Sequence, residues 1–266
     1  MNLIISLRNI LHYETCDVIA VTSHTRIIPH IVIKYHIMKT LIVIPAYNES
    51  ENIERVVNNI QNNFPQYDYV IINDGSSDNT TEICKKNNYN LIDLPVNLGL
   101  AGAFQTGMKY AFQKGYDAAI QFDGDGQHRP EYIESMVKTM EDEKMDIVIG
   151  SRFVSKKKGL SPRMLGSRVI SFLILITTGK HVKDPTSGMR LYGKNVLEEF
   201  ANKINYGPEP DTITYLLNRG CKIKEVQVEM DERIAGTSYL NFIGSIRYMI
   251  KMCTSIIFVQ WFRKRS

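Results

Sequence analysis

The sequence predicts an α/β fold: a doubly wound, mainly parallel sheet flanked by helices, with a C-terminal amphipathic helix appended. Three observations carry that expectation. Short apolar runs bounded by Pro, Gly, Asn or Asp recur along the chain, as buried parallel strands do. Segments of helical periodicity separate them, giving a βαβ succession. The acids and bases able to do chemistry, Asp74, Asp123, Asp125 and Arg152, fall where those runs end, at the edge where open α/β sheets bind ligands.

The elements follow in order. Thr40-Leu41-Ile42-Val43-Ile44-Pro45 reads as the first buried strand. Asn48 or Ser50 is expected to cap the next helix, with Glu51 and Glu54 in its first turns and Ile53, Val56, Val57 and Ile60 on one face. Tyr69 to Ile72 is a second strand, followed by a helix from Asp78 or Asn79 to about Lys86. Leu91 to Leu94 is a short third strand, and a glycine loop at 97–102 leads into a helix through Phe112. The fourth strand, around Ala118 to Ile120, runs into Gln121-Phe122-Asp123-Gly124-Asp125-Gly126-Gln127-His128. Pro130 starts a helix carrying Tyr132, Met136, Val137 and Met140, and Asp146 to Gly150 is the fifth strand. Beyond Arg152 the pattern loosens: a helix from Arg163 to Thr178, a short strand at 189–192, a Pro-fixed acidic entry at 208–211 to another helix, and a half-buried strand at 225–230.

Composition sets bounds. A chain of 266 residues, 44% hydrophobic and 23% charged, can bury one large core. A net charge of +4 is too mild to imply nucleic acid. Four cysteines without a Cys-x-x-Cys argue against a zinc site or disulfide framework and fit a reducing compartment. No uncharged run reaches the roughly 18 residues of a membrane span. Residues 1–37 hold four of the six histidines but no persistent period, and the first clean strand opens at Met38-Lys39. They are read as an upstream extension, 38–240 as the main domain and 241–266 as the appended helix.

The octet at 121–128 is the chemical centre. Asp123 and Asp125 stand two apart at a strand end, where alternate residues point the same way. Two like charges held together call for a cation, and hard carboxylate oxygens suit Mg²⁺ or Mn²⁺. An Asp-Gly turn capping the strand is the alternative. The glycine loop at 97–102 is neither Gly-x-Gly-x-x-Gly nor a P-loop, which disfavours a dinucleotide dehydrogenase and a P-loop enzyme.

Six motifs in order complete the picture: Ile44-Pro45-Ala46-Tyr47-Asn48-Glu49, Asn73-Asp74-Gly75-Ser76-Ser77-Asp78, Asn97-Leu98-Gly99, Asp123-Gly124-Asp125-Gly126-Gln127, Gly150-Ser151-Arg152-Phe153 and Ser187-Gly188-Met189-Arg190. Together, over about 39–240, they resemble family-2 glycosyltransferases of the GT-A fold, most closely the dolichyl- or polyprenyl-phosphate sugar synthase branch. The resemblance implies roles. Pro45, Tyr47, Glu49, Asp74 and Gly99 would line the nucleotide-sugar pocket, Asp123 and Asp125 would hold the metal on the donor diphosphate, and Gln127 would lie beside it. Arg152, Arg190 and Arg233 match basic positions that meet phosphates, Arg190, Arg233 and Ser238 on the acceptor side. Tyr239 stands where relatives often have Lys, and Asn73-Asp74 where many have two acids, so uridine and guanosine both stay open. The bland alternatives are a core aromatic for Tyr47, a structural ion pair for Arg190, a solvated charge for Arg233 and a solvated loop for Lys156 to Lys158; His128 is read as supporting the acids rather than as a ligand.

The implied reaction is inverting transfer from a UDP- or GDP-sugar to a lipid phosphate or a glycan, with metal and arginine absorbing the leaving-group charge. A hydroxyl acceptor needs a general base, for which Glu209 and Asp211 are candidates; an ionised lipid phosphate needs none. A non-catalytic nucleotide-sugar-binding protein and a nucleotidyltransferase are the competing classes. Ile243 to Phe262 carries apolar residues at helical spacing and ends in Trp261, Phe262 and Arg263-Lys264-Arg265. That suits a helix lying at the membrane interface and a peripheral protein on the cytoplasmic face; a helix packed on the domain is the alternative. Removing residues 1–37 is expected to leave the melting temperature and activity of the remaining chain unchanged, and a fall in either would contradict their reading as an extension.

Overall fold

The structure, a computed structural model, describes residues 38–159, 161–231 and 242–259. Among the described residues seven strands form one sheet: β1 (Thr40–Ala46), β2 (Asp68–Asn73), β3 (Leu91–Asp93), β4 (Ala118–Gln121), β5 (Ile147–Ser151), β6 (Arg190–Gly193) and β7 (Ile223–Gln227). Their order is β3-β2-β1-β4-β6-β5-β7. Every pairing is parallel except those of β6, which runs antiparallel to both β4 and β5. The helices are α1 (Ile53–Asn63), α2 (Thr80–Lys86), α3 (Gly99–Gln113), α4 (Tyr132–Glu143), α5 (Pro162–Thr178), α6 (Lys194–Asn202), α7 (Pro210–Asn218) and α8 (Phe242–Thr254), the last running into a π-helical turn at Ser255–Val259. The helix α6 and the direction of β6 were not anticipated.

Alternation explains how the sheet takes a layer on each face. Leu41 and Val43 of β1, Val70 and Ile72 of β2, and Ile147 and Ile149 of β5 join one buried cluster with Phe104, Phe200, Ile213, Met252 and Ile256 of the helices. The intervening Ile42, Ile44, Ile71 and Val148 are also fully buried, so both faces are covered and the strands read as unbroken apolar runs. On α1 the buried set is Ile53, Val56, Val57 and Ile60, the expected stripe. Each such side chain contributes about 1.5–3 kcal/mol.

The expected cap of α1 is corrected. Neither Asn48 nor Ser50 caps it; the helix opens after Asn52 with no side-chain cap bond. Both residues are spent across the strand ends. The Asn48 N–H donates to Ser76 Oγ (2.9 Å), its Oδ1 accepts from the Ser77 N–H (2.8 Å), and the Ser50 N–H donates to Asp78 (3.0 Å). Asn48 takes φ +55, which asparagine tolerates. Strand seven lies at 223–227, slightly before its expected place.

Gly107 of α3 lies directly on β1: a Cβ there would stand 2.1 Å from Val43 Cγ1. Gly107→Ala therefore gains helix propensity but overpacks the sheet, for a net cost of about 1–3 kcal/mol. Its melting temperature should fall by several degrees in calorimetry; an unchanged or higher value would contradict this packing.

Candidate active site

The parallel register of β1, β2 and β4 brings their C-terminal ends to one edge. There Asp74, 3% exposed, accepts the Leu98 N–H at 2.7 Å. Gly75, at φ +64, presses the same loop so closely that a Cβ would meet the Asn97 nitrogen at 2.7 Å. Asp74 thus anchors the Asn97-Leu98-Gly99 loop, and Gly99 (φ +74) opens α3. Pro45 and Tyr47 are half-buried at the end of β1. Glu49 accepts from Asn52 Nδ2 (2.9 Å), and its N–H donates to Thr80 Oγ1 (2.9 Å). Asp78 closes this side. Burial alone would raise its carboxyl, but hydrogen bonds from Thr80 and Ser50 outweigh that and hold it below the ordinary range.

The acid pair lies beside these residues. Gly124 rests against β1, the Pro45 carbonyl standing 3.2 Å from where its Cβ would be and Glu49 Cγ 3.7 Å. Asp125 is 6% exposed and accepts the Gln127 N–H at 3.0 Å. The Asp123 N–H donates to His128 Nδ1 (2.9 Å), which leaves the ring proton on Nε2, 3.5 Å from Asp123 Oδ2. His128 is 5% exposed and packs edge-on against Phe122. Gln121 donates to Asp123 Oδ1 (3.2 Å), while its own Oε1 is buried without a partner. Two carboxylates and an unmet buried acceptor at one strand end are a hard-oxygen donor set that fits a divalent cation. Among the described residues no group of three or more His, Cys, Asp or Glu forms a ligand cluster.

The antiparallel strand brings the second half of the chain here. Arg190 pairs in register with Gln121 of β4 and Ile149 of β5, so the turn before it meets the acid pair. A Cβ on Gly188 would lie 2.8 Å from Asp123 Oδ2. Arg190 itself departs from expectation. It is 1% exposed, and its guanidinium donates to the carbonyls of Ser187 (2.8 Å), Pro185 (2.6 Å) and Pro208 (2.8 Å), with Glu209 at 3.5 Å. It ties two loops together rather than facing a phosphate, and its partners are carbonyls rather than a carboxylate.

The second of these loops, at the entry to α7, carries the two candidate bases. Glu209 accepts a hydrogen bond from the Tyr248 hydroxyl, and Asp211 one from Ser255 Oγ (2.6 Å). Burial, then the charge of Glu209, holds Tyr248 protonated far above the ordinary tyrosine range, so it remains a donor. A Cβ on Gly207 would stand 2.9 Å from Ala101 Cβ, which places this segment against the start of α3. The helix expected at a membrane interface thus packs one face on the domain, with Met252 and Ile256 in the core.

Arg152 is also committed. Its Nε and Nη2 donate to Asp184 at 2.8 and 2.9 Å, and Asp184 is fully buried. Gln127 donates its side-chain amide to the Asp231 carbonyl (3.3 Å) and accepts the Asp231 N–H (2.9 Å). The loop of lysines is not simply solvated: Lys158 donates to Ser167 (2.7 Å) and Ser171 (3.3 Å), and burial lowers its ammonium pKa. Arg233 and Ser238 lie outside the described residues, as do residues 1–37 and Trp261 to Arg265. Sequence reasoning missed Asp184, Tyr248 and Ser255. Asp184 had a signal, as the acid just before Pro185 in the stretch leading to the Ser187–Arg190 motif; the other two had none. Cys84 and Cys221 are thiols pushed up to about 11 by burial, not nucleophiles.

Residues 41–201 match the family described as "Glycosyl transferase family 2". The chain belongs to that family. It is a glycosyltransferase, and the non-catalytic and nucleotidyltransferase readings fall. Among similar proteins, the UDP-N-acetylglucosamine–dolichyl-phosphate N-acetylglucosaminyltransferase of Methanococcus voltae is 34% identical over 184 residues, 61% of this chain and 72% of that one. The undecaprenyl-phosphate mannosyltransferase of Micrococcus luteus is 27% identical, covering 77% of this chain and 88% of that one. A glucosyl-3-phosphoglycerate synthase from Mycobacterium tuberculosis, solved with Mn²⁺ and UDP-glucose, superposes with a TM-score of 0.61 at 17% identity, covering 82% and 79% of the two chains. That likeness is one of fold, the GT-A α/β architecture.

The Arg152–Asp184 pair yields a stability test. Burial would raise the Asp184 carboxyl, but the Arg152 hydrogen bonds and charge outweigh it and leave the pKa below its ordinary 3.8. The stabilisation is therefore complete above about pH 4 and is lost as pH falls through the lowered value. Arg152→Leu strands a buried charge and should cost about 3–5 kcal/mol at pH 7. Part of that deficit against the native chain should vanish near pH 4, where the stranded carboxyl protonates. Denaturant melts at both pH values check this; a deficit constant with pH would contradict it.

Proposed function

We propose that this glycosyltransferase is metal-dependent and inverting. It moves a sugar from a UDP- or GDP-sugar to a polyprenyl phosphate, as a peripheral protein at the cytoplasmic face of the membrane. One observation supports this most: a single sheet edge gathers the acid pair that follows β4, the glycine loop held by Asp74, and the Ser187–Gly188 turn that Arg190 ties to the 208–211 loop. The relatives add weight, since their names share a lipid-phosphate acceptor.

In this reading the nucleotide lies along Pro45, Tyr47, Glu49, Asp74 and Gly99, with Gln127 toward the diphosphate, while Arg152, spent on Asp184, holds the 184–186 loop instead. Mg²⁺ or Mn²⁺ on Asp123 and Asp125, when bound, supplies positive charge against the departing diphosphate. His128 holds the Asp123 backbone through Nδ1 and faces its carboxylate with Nε2. Arg190, sealed among carbonyls, positions the Ser187–Gly188 turn against Asp123 and holds Glu209 in place. The acceptor phosphate falls to Arg233 and Ser238. Being ionised, it needs no base, and Glu209 and Asp211 orient rather than deprotonate.

Transfer rates of single variants test the assignment. Asp125→Asn should lower the rate by about 10²-fold or more while leaving the melting temperature in place; more than about a tenth of the native rate would contradict the metal role. Glu209→Gln and Asp211→Asn should each stay within about tenfold of native. A loss of about 10²–10⁴-fold in either would mark a general base and a hydroxyl acceptor instead.

A further inference from the structure

The turn that carries Asp123 and Asp125 is held from the side by a segment distant in the chain. Pairing with β5 continues one residue past the end of β7, the Val228 N–H donating to the Ser151 carbonyl at 2.9 Å. The chain then reaches the turn at Asp231. Here two residues exchange bonds: the Asp231 N–H donates to the Gln127 carbonyl (2.9 Å), and the Gln127 side-chain amide donates to the Asp231 carbonyl (3.3 Å). Arg129 fastens the Asp231 carboxylate in turn. Its Nε donates to Oδ1 at 2.7 Å, its Nη2 donates to the same oxygen, and its Nη1 stands 3.5 Å from Glu229. On the other side the Gln127 N–H donates to Asp125 Oδ1 at 3.0 Å. Gln127 is thus bonded both to an acid of the pair and to the distant segment.

Behind the turn lies a polar cavity of about 70 Å³, lined by Arg55, Gly126, His128, Arg129 and Asp231 among others. Bonds to Asp231, more than side-chain packing, therefore fix this side of the turn. They also decide which way the amide lies. An amide has a donor end and an acceptor end, told apart by their partners. The Gln127 nitrogen is taken by the Asp231 carbonyl, and among the described residues no donor meets Gln127 Oε1. An amide oxygen is a hard donor of the kind divalent cations accept. Groups bonded to the far end of such a ligand set its orientation.

We propose that Arg129 and Asp231 are positioning residues for the cation site. By holding the Gln127 nitrogen they leave its Oε1 as the end turned to the cation of Asp123 and Asp125, and they steady the N–H that Asp125 accepts. The proposal rests on the metal reading above for the cation, and on these bonds alone for the positioning.

The sign of the effect separates positioning from charge. Removing the Arg129 cation beside a cation site would by Coulomb's law tighten metal binding. Loss of an orienting group weakens it, typically 10–100-fold. The test measures Mn²⁺ binding to the full-length chain by electron paramagnetic resonance, with UDP and with GDP, alongside the Mn²⁺ concentration that half-saturates transfer. Arg129→Met should raise both values about tenfold or more, while the rate at saturating Mn²⁺ falls far less. Arg129→Lys keeps the charge with fewer donors and should lie between Arg129→Met and the native chain. Gln127→Ala should weaken Mn²⁺ binding similarly, and adding Arg129→Met to it should cost nothing further, since one acts through the other. Lys156→Met, which takes a cation from Glu229 alone (2.6 Å), should leave Mn²⁺ affinity native. Unchanged or tighter Mn²⁺ binding in Arg129→Met would overturn the proposal, whatever its melting temperature. So would losses that add in the double variant, or a loss in Lys156→Met equal to that in Arg129→Met. Native protein that binds no Mn²⁺ with either nucleotide would defeat the metal reading itself, and the proposal with it.

Discussion

A guanidinium sealed from water must spend its donors on acceptors within the protein, because each one left unmet costs as much as a lost hydrogen bond. Arg190 meets that demand with the carbonyls of Pro185, Ser187 and Pro208. Those carbonyls belong to two loops distant in sequence, and the arginine stands at the start of the one strand that runs against its neighbours. Its charge is thereby converted into a joint. The turn carrying Gly188 is held against Asp123, and the segment entering α7 is held against the start of α3, its acids bonded to Tyr248 and Ser255. A lysine would satisfy fewer acceptors and lacks the planar fork that reaches both loops.

Close approach of backbone does the rest. Gly75, Gly124 and Gly188 lie where a Cβ would meet the Asn97 nitrogen at 2.7 Å, the Pro45 carbonyl at 3.2 Å and Asp123 Oδ2 at 2.8 Å. These contacts draw the ends of β1, β2, β4 and β6 into one rim around the acid pair. Behind it α8 has two faces with different tasks. Met252 and Ile256 fill the core while Tyr248 and Ser255 hold the acids, and Ile250 and Phe258 remain outside.

The parallel half of the fold was legible because its strands are buried on both faces and so read as continuous apolar runs, and because α1 shows its stripe at Ile53, Val56, Val57 and Ile60. The acid pair was legible for a similar reason: strand periodicity puts Asp123 and Asp125 at one edge whatever the tertiary detail. What failed to read was set by long-range partners. Nothing local in Arg190-Leu191-Tyr192 states that the strand runs backwards, and nothing marks Arg190 as buried among carbonyls rather than exposed to a phosphate. Asn48 and Ser50 were competent caps that the fold spends on Ser76, Ser77 and Asp78 instead. Helical spacing marked the helix α8, but periodicity could not say which side meets protein: Ile246, Ile250 and Ile257 of the expected stripe are exposed, while Met252 and Ile256 meet the core.

The central claim is that one sheet edge joins a nucleotide-sugar site to a lipid-phosphate site. Mass spectrometry of the lipid after incubation with UDP- or GDP-sugars, Mg²⁺ or Mn²⁺ and a short-chain polyprenyl phosphate addresses it directly. The account predicts a polyprenyl phosphate heavier by one sugar residue, formed in step with released nucleoside diphosphate and absent when the metal is chelated. A nucleotide sugar that is bound or hydrolysed while the polyprenyl phosphate stays unmodified with every donor would contradict it.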